Sequence, residues 1–134
     1  MALQLAFHHV GLATRSMDRA RAVFEGLGYS VDASSPVPCQ RVRVCFASKA
    51  DHPTIELIEP VGDDSPVRSI LDKVGSTPYH LCYVTPDLGL AEAELRRLKC
   101  IPLGERFASG PLGDRATRFF YNASIGVIEI SEAT

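Results

Sequence analysis

No run of apolar residues in this sequence approaches the roughly 18 that a membrane-spanning helix needs, so we expect no membrane segment. The first residues, MALQLAFHH, also lack the basic stretch and the long apolar run of a secretory signal peptide. Basic residues are not in excess, because 14 Lys and Arg stand against 16 Asp and Glu. Binding to nucleic acids or to membrane surfaces usually requires a basic excess, so neither partner is expected.

The four cysteines, Cys39, Cys45, Cys82 and Cys100, form no CxxC pair, so the sequence predicts neither a zinc knuckle nor a redox pair. Reduced cysteines without a signal peptide predict a cytoplasmic protein. A chain of 134 residues that is 46% hydrophobic can bury a core without metals or disulfides. We therefore expect any bound metal to serve chemistry rather than to hold the fold together.

A diverged internal repeat covers most of the chain. The first half contains HHVGLATRS, RVRVCFAS and TIELIEP, and the second contains YHLCYVTPD, RATRFFYN and GVIEISE. Each half reads as a strand, a helix and further strands. The repeat predicts an α+β fold in which residues 1–134 form one domain of two βαβββ modules, at about residues 5–60 and 77–134. Between them, Ser65 and Pro66 should begin a short connector helix that Gly75 ends.

Histidine and glutamate recur at equivalent points of the two modules. His9 and His80 lie on the first strand of each module, and Glu56 and Glu129 on the last. Alternation with apolar neighbours places all four on the strand faces turned away from the helices. Two facing modules would bring them into one cleft. A single His or Glu in a strand is usually structural or solvated, but solvation does not require matched positions, so we interpret the set as metal ligands.

Two imidazoles and two carboxylates suit a divalent Zn, Co, Ni, Mn or Fe ion. Such an ion would have coordination positions left for two neighbouring substrate oxygens and could stabilise an enolate or enediolate. Candidate substrate contacts are Arg41, Arg43, Arg115, Arg118 and Tyr121, and of these Arg43, Arg118 and Tyr121 are expected to bind the substrate. The alternative is that these arginines are exposed strand-edge charges. Glu59 and Glu132, three residues after the predicted ligands, are interpreted as strand-end solvation.

The strings HHVGLA, IELIEPVGDDSPV, YHLCYV and GVIEIS resemble the methylmalonyl-CoA epimerase-like branch of the vicinal-oxygen-chelate (glyoxalase) superfamily. The resemblance extends from about His8 to Glu132. It implies a half-barrel cup, commonly dimeric, with His9, Glu56, His80 and Glu129 as metal ligands. It also implies a metal-dependent isomerase, epimerase or lyase that acts on an acyl-CoA, another thioester or a hemithioacetal.

The chain departs from that branch at identifiable positions. Tyr79 precedes His80 where the branch has a second histidine, and no Asp or Glu lies between Asp32 and Asp51. Glu129 is therefore the one expected catalytic base. Two alternative functions remain open. One is a non-catalytic binding protein for a metabolite or antibiotic, and the other is a metal-dependent dioxygenase, for which two His and one carboxylate are the usual ligands.

Overall fold

The computed structural model describes residues 3–133, which divide into two compact units. We call residues 9–79 the N-terminal unit, and residues 3–8 together with 80–133 the C-terminal unit. Each unit combines parallel and antiparallel strands with helices, so the predicted α+β class is confirmed. Within the described residues, every helix is too short or too polar to cross a membrane.

The N-terminal unit orders its strands β2-β4-β5-β1, with β3 paired to β4. Strands β1 and β5 are parallel, and β4 and β5 are antiparallel. The helix α2 has the predicted boundaries, with the Ser65 side chain as its N-cap, Pro66 as its first residue and Gly75 after its end. The elements of this unit are β1 (Ala6–Ala13, from His9 onward), α1 (Met17–Gly26), β2 (Ser30–Val31), β3 (Ser35–Val37), β4 (Val42–Ser48), β5 (Ile55–Pro60) and α2 (Pro66–Val74).

The C-terminal unit orders its strands β6-β9-β8-β7. Strands β6 and β9 are parallel, whereas β8 is antiparallel to both β9 and β7. This is the arrangement of the first unit repeated, with longer outer strands. The elements are β6 (Thr77–Thr85, from His80 onward), α3 (Leu88–Arg97), β7 (Ile101–Ser109), β8 (Arg115–Asn122) and β9 (Gly126–Glu132).

Each sheet packs one of its faces against a helix. In the N-terminal unit, Met17 of α1 packs against Cys45 and Leu57. In the C-terminal unit, a buried cluster joins α3 to β8 and β9 through Leu88, Ala91, Leu95, Cys100, Phe120, Ile128 and Ile130. We call these the helix faces. Since side chains alternate along a strand, Glu56 and Glu129 lie on the opposite faces, which we call the ligand faces.

The starts of α1 and α3 are capped in the same way. The side chains of Ser16 and Asp87 accept hydrogen bonds from the third backbone N–H of each helix, at 3.2 and 3.0 Å. A distant carboxylate completes each cap, because Glu59 accepts from the N–H of Met17 and Glu132 from that of Leu88, at 2.7 and 2.9 Å. The expectation of strand-end solvation for these glutamates was wrong. Both lie on the helix face, where the helix N-terminus attracts a negative charge.

Glu132→Ala should lower the free energy of unfolding by about 1–2 kcal/mol, because it removes both a helix-capping hydrogen bond and a charge at the positive end of α3. Urea denaturation would measure the change, and Glu59→Ala is the matched variant in the other repeat. An unchanged midpoint in both variants would show that these carboxylates contribute nothing to the helices.

Candidate metal centre

The N-terminal unit brings His9 and Glu56 together on its ligand face. Nε2 of His9 lies 3.2 Å from Oε1 of Glu56, and both residues are buried. The parallel register of β1 and β5 pairs Gly11 with Glu56, which puts His9 on the same face. Phe46 lies directly across from Glu56 on β4, and its ring packs edge-on against the imidazole at 5.4 Å between centroids. Burial and this aromatic contact restrict the orientation of the His9 ring.

The C-terminal unit repeats this arrangement. Nε2 of His80 lies 3.4 Å from Oε1 of Glu129, and both residues are buried. Phe119 faces Glu129 across β8 and β9, and its ring meets that of His80 edge-on at 5.3 Å. The two phenylalanines were missed from the sequence. The sequence does contain a feature that could have identified them. The two phenylalanines are 73 residues apart (119 − 46), which equals the separation of the two glutamates (129 − 56).

The geometry of each pair fits two neighbouring ligands of a metal ion. A carboxylate oxygen and an imidazole nitrogen that are each about 2.1 Å from one ion, at about a right angle, are separated by about 3 Å. The separations of 3.2 and 3.4 Å are close to this value. The donor set, imidazole nitrogen beside carboxylate oxygen, is also that of a first-row divalent ion. The residues present therefore fit the predicted metal.

Two of the three predicted substrate contacts lie on the helix faces. Arg43 is across from Glu59 on β5, and its guanidinium contacts that carboxylate and the Ser34 hydroxyl. Arg118 is across from Ile130 of the C-terminal core. Both positions favour structural roles for these arginines, while substrate contact remains an untested prediction. Tyr121 shares the ligand face and is 42% exposed, which leaves its ring available to a ligand.

Arg118 belongs to a charge cluster on the helix face of the C-terminal unit. Its guanidinium donates to Oε2 of Glu92 on α3 at 2.9 Å, and Arg106 binds the same carboxylate through Nε at 3.2 Å. The hydrogen bond from Arg106 and that from Arg118 hold the pKa of Glu92 below its ordinary value, although burial acts in the opposite direction. This cluster joins α3 to β7 and β8.

Glu92→Gln should lower the free energy of unfolding by about 1 kcal/mol at pH 7, because hydrogen bonds to a charged group contribute more than neutral ones. Folding lowers the pKa of Glu92 from 4.5, so its carboxylate stabilises the native state above that pH. The contribution is lost as the pH falls through the native pKa. Thermal melts of both proteins from pH 7 downward should converge in acid, and a pH-independent difference would contradict the ion-pair explanation.

Within residues 3–133 none of the four cysteines forms a disulfide bond, and Cys45, Cys82 and Cys100 are buried. Burial raises the pKa of the Cys45 thiol, which therefore stays protonated near neutral pH. Cys45 lies on the helix face against α1, away from the His9–Glu56 pair. A buried protonated thiol is a packing group, because metal binding and nucleophilic attack require the thiolate.

Comparison with known proteins identifies the family to which this chain belongs. The profile of the glyoxalase/bleomycin resistance protein/dioxygenase superfamily matches residues 8–119. The chain belongs to that superfamily, as its repeated strings predicted.

Within the superfamily, the chain is similar to methylmalonyl-CoA epimerases. The mitochondrial enzyme of Bos taurus is 28% identical over 131 residues, which cover 94% of this chain and 73% of that protein. The ethylmalonyl-CoA/methylmalonyl-CoA epimerase of Cereibacter sphaeroides is 30% identical over 99 residues, which cover 72% of this chain and 73% of that protein. A variant of the Streptomyces coelicolor methylmalonyl-CoA epimerase, solved with 2-nitronate-propionyl-CoA, superposes with a TM-score of 0.82 at 21% identity over 99% of each chain. The predicted glyoxalase-like fold is thereby confirmed.

Proposed function

We propose that the protein is a metal-dependent epimerase or related isomerase that removes the α-proton of an acyl-CoA thioester. The observation that carries the proposal is the duplicated pair of a buried imidazole and a buried carboxylate on the ligand face of each unit. Buried ionisable groups are costly, so their retention at matched positions is better explained by a ligand than by stability. The methylmalonyl-CoA epimerase relatives supply the reaction class and the substrate class.

In this proposal, His9, Glu56, His80 and Glu129 hold one divalent ion, and each unit contributes two ligands. The bound ion would act as a Lewis acid that polarises the thioester carbonyl and lowers the energy of the enolate. Glu129 takes the α-proton as general base. Phe46 and Phe119 hold the imidazoles through edge contacts, at 5.4 and 5.3 Å between centroids. Tyr121 contacts the substrate from the exposed part of the same face.

Proton delivery to the opposite side of the α-carbon is the further requirement of an epimerase. On β4 of the N-terminal unit, the residues of the ligand face are Val42, Val44, Phe46 and Ser48, and none of them has an acidic or basic side chain that could deliver this proton. Proton exchange and inversion can therefore be separate outcomes. An isomerase that works from one side would exchange the α-proton with solvent faster than it inverts the centre.

The test is deuterium incorporation at the α-carbon of methylmalonyl-CoA and ethylmalonyl-CoA in heavy water, followed by NMR together with the stereochemistry of the product. Protein reconstituted separately with Zn, Co, Ni, Mn or Fe should exchange the proton, and chelator-treated protein should not. Exchange with inversion identifies an epimerase. The absence of exchange with every metal, for both thioesters, would contradict the proposed function.

A further inference from the structure

Some features of the ligand face occur in both repeats, and others occur only in the second. The His, Glu and Phe of each metal pair are duplicated, as a symmetric set of ligands requires. The residues of the next cross-strand row are not, because Thr117 pairs with Ser131 in the C-terminal unit, where the N-terminal unit pairs Val44 with Ile58. Both hydroxyl residues are fully buried. Because this pair of hydroxyl residues occurs in only one of the two repeats, it indicates a ligand with two chemically different ends.

The hydroxyl groups of Thr117 and Ser131 form a fixed chain. Thr117 donates to the carbonyl oxygen of Arg115 at 2.9 Å, and its oxygen lies 2.9 Å from the Ser131 hydroxyl. Since the single proton of Thr117 is directed to that carbonyl, Ser131 donates to Thr117. This chain connects the strand that carries Glu129 to the residue that begins β8.

Arg115 occupies the third row of the same face, where it pairs with Ser109 of β7. Its Nε is buried and makes no hydrogen bond within residues 3–133. Nε of Arg68 on α2 is likewise buried without a hydrogen bond, but another nitrogen of that guanidinium donates to the carbonyl oxygen of Gly62. The position equivalent to Arg115 in the first repeat is Val42, which is buried and apolar. Arg115 is thus a cation of the second repeat alone, and none of the described carboxylates forms an ion pair with it.

We infer that Arg115 binds an oxyanion of the substrate, either the free carboxylate of the acyl group or a phosphate of coenzyme A. Arg115 lies four residues from Phe119, the partner of Glu129, which is about 13 Å along an extended strand. That distance leaves room for a thioester between Arg115 and Glu129. A buried guanidinium nitrogen without a partner costs free energy that an oxyanion would recover. The inference rests on the proposed function for the class of ligand.

The test measures equilibrium binding of three thioesters to metal-loaded Arg115→Met and wild-type protein. Methylmalonyl-CoA carries both kinds of anion, butyryl-CoA only the phosphates, and the N-acetylcysteamine thioester of methylmalonate only the carboxylate. Loss of a charge-assisted hydrogen bond should weaken binding by about 10- to 100-fold. Weaker binding of both methylmalonyl thioesters would identify the carboxylate as the anion, and weaker binding of both CoA thioesters would identify the phosphate.

Arg96→Met is the control, since Arg96 is an exposed arginine of the same unit that lies on α3, away from the ligand face. It should bind all three thioesters as the wild type does. Arg115→Lys keeps the charge but not the planar fork, and should restore part of the affinity. Metal content should be unchanged in every variant. Binding is read without turnover, so a wild type that binds but does not exchange would contradict only the proposed function. Equal binding by Arg115→Met and wild type, or no binding by wild type, would overturn the inference.

Discussion

His9→Ala and His80→Ala should each abolish binding of the same single divalent ion, although the two residues belong to different repeats. Even residues that only orient a metal ligand contribute about 10- to 100-fold to metal affinity, so loss of a ligand should cost more than about 100-fold. Each histidine is buried beside its glutamate, and alanine removes the imidazole without adding charge. Metal analysis after dialysis, together with calorimetric titration, measures the content and the affinity.

Stoichiometry makes this prediction specific. Wild-type protein should hold one ion per chain, and either variant should hold none. If the His9–Glu56 and His80–Glu129 pairs bound separate ions, wild type would hold two and each variant would keep one. His52→Ala is the control, because His52 is exposed and its ring contacts the carbonyl oxygen of Ala50. Loss of metal from that variant would mean that the assay reports general destabilisation.

Glu129→Gln should reduce α-proton exchange by about 100- to 10,000-fold, the usual contribution of a general base. The amide oxygen can still contact the ion, but the amide cannot take a proton. Metal content should therefore fall much less than activity. Exchange of the α-proton in heavy water, measured at saturating methylmalonyl-CoA, separates the rate of proton transfer from substrate binding.

Glu56→Gln is the control for this second prediction. Glu56 occupies the equivalent position of the first repeat and makes the equivalent contact with a histidine, at 3.2 Å. Both variants lose one negative charge, so they should weaken the metal similarly. Only Glu129→Gln should lose exchange beyond the loss of metal. Equal losses of α-proton exchange in the two variants would contradict the assignment of Glu129 as the base. Both glutamates would then be metal ligands only.

Local pattern was sufficient to predict where the His and Glu pairs lie. Glu56 stands between Ile55 and Leu57, and Glu129 between Ile128 and Ile130. Apolar neighbours on both sides of a strand residue place that residue on the other face, because a strand has a period of two. The positions where the helices begin also depend on residues that are close in the sequence. Ser16 and Ser65 act as N-caps because their side chains accept from backbone groups only two or three residues away.

The substrate contacts could not be assigned in this way. Alternation shows that Arg118 and Phe119 lie on opposite faces of β8, but not which of them shares a face with Glu129. The pairing of Phe119 with Glu129 decides this, and it puts Arg118 on the helix side and Arg115 on the ligand side. The register between strands depends on contacts that are distant in the sequence. The same holds for Arg43, because only its pairing with Glu59 decides which face of β4 it occupies.

The sequence by itself determined the repeat, the α+β class and the four candidate ligands, because each of these depends on residue spacing within one strand or helix. Tertiary structure alone decided which arginine shares a face with the His–Glu pairs, that Glu59 and Glu132 cap helices, and that Phe46 and Phe119 pack against the imidazoles. Those features join residues that are about 10 to 45 positions apart in the chain. Their contacts follow from strand register and helix packing, which the spacing of residues along a single element does not specify.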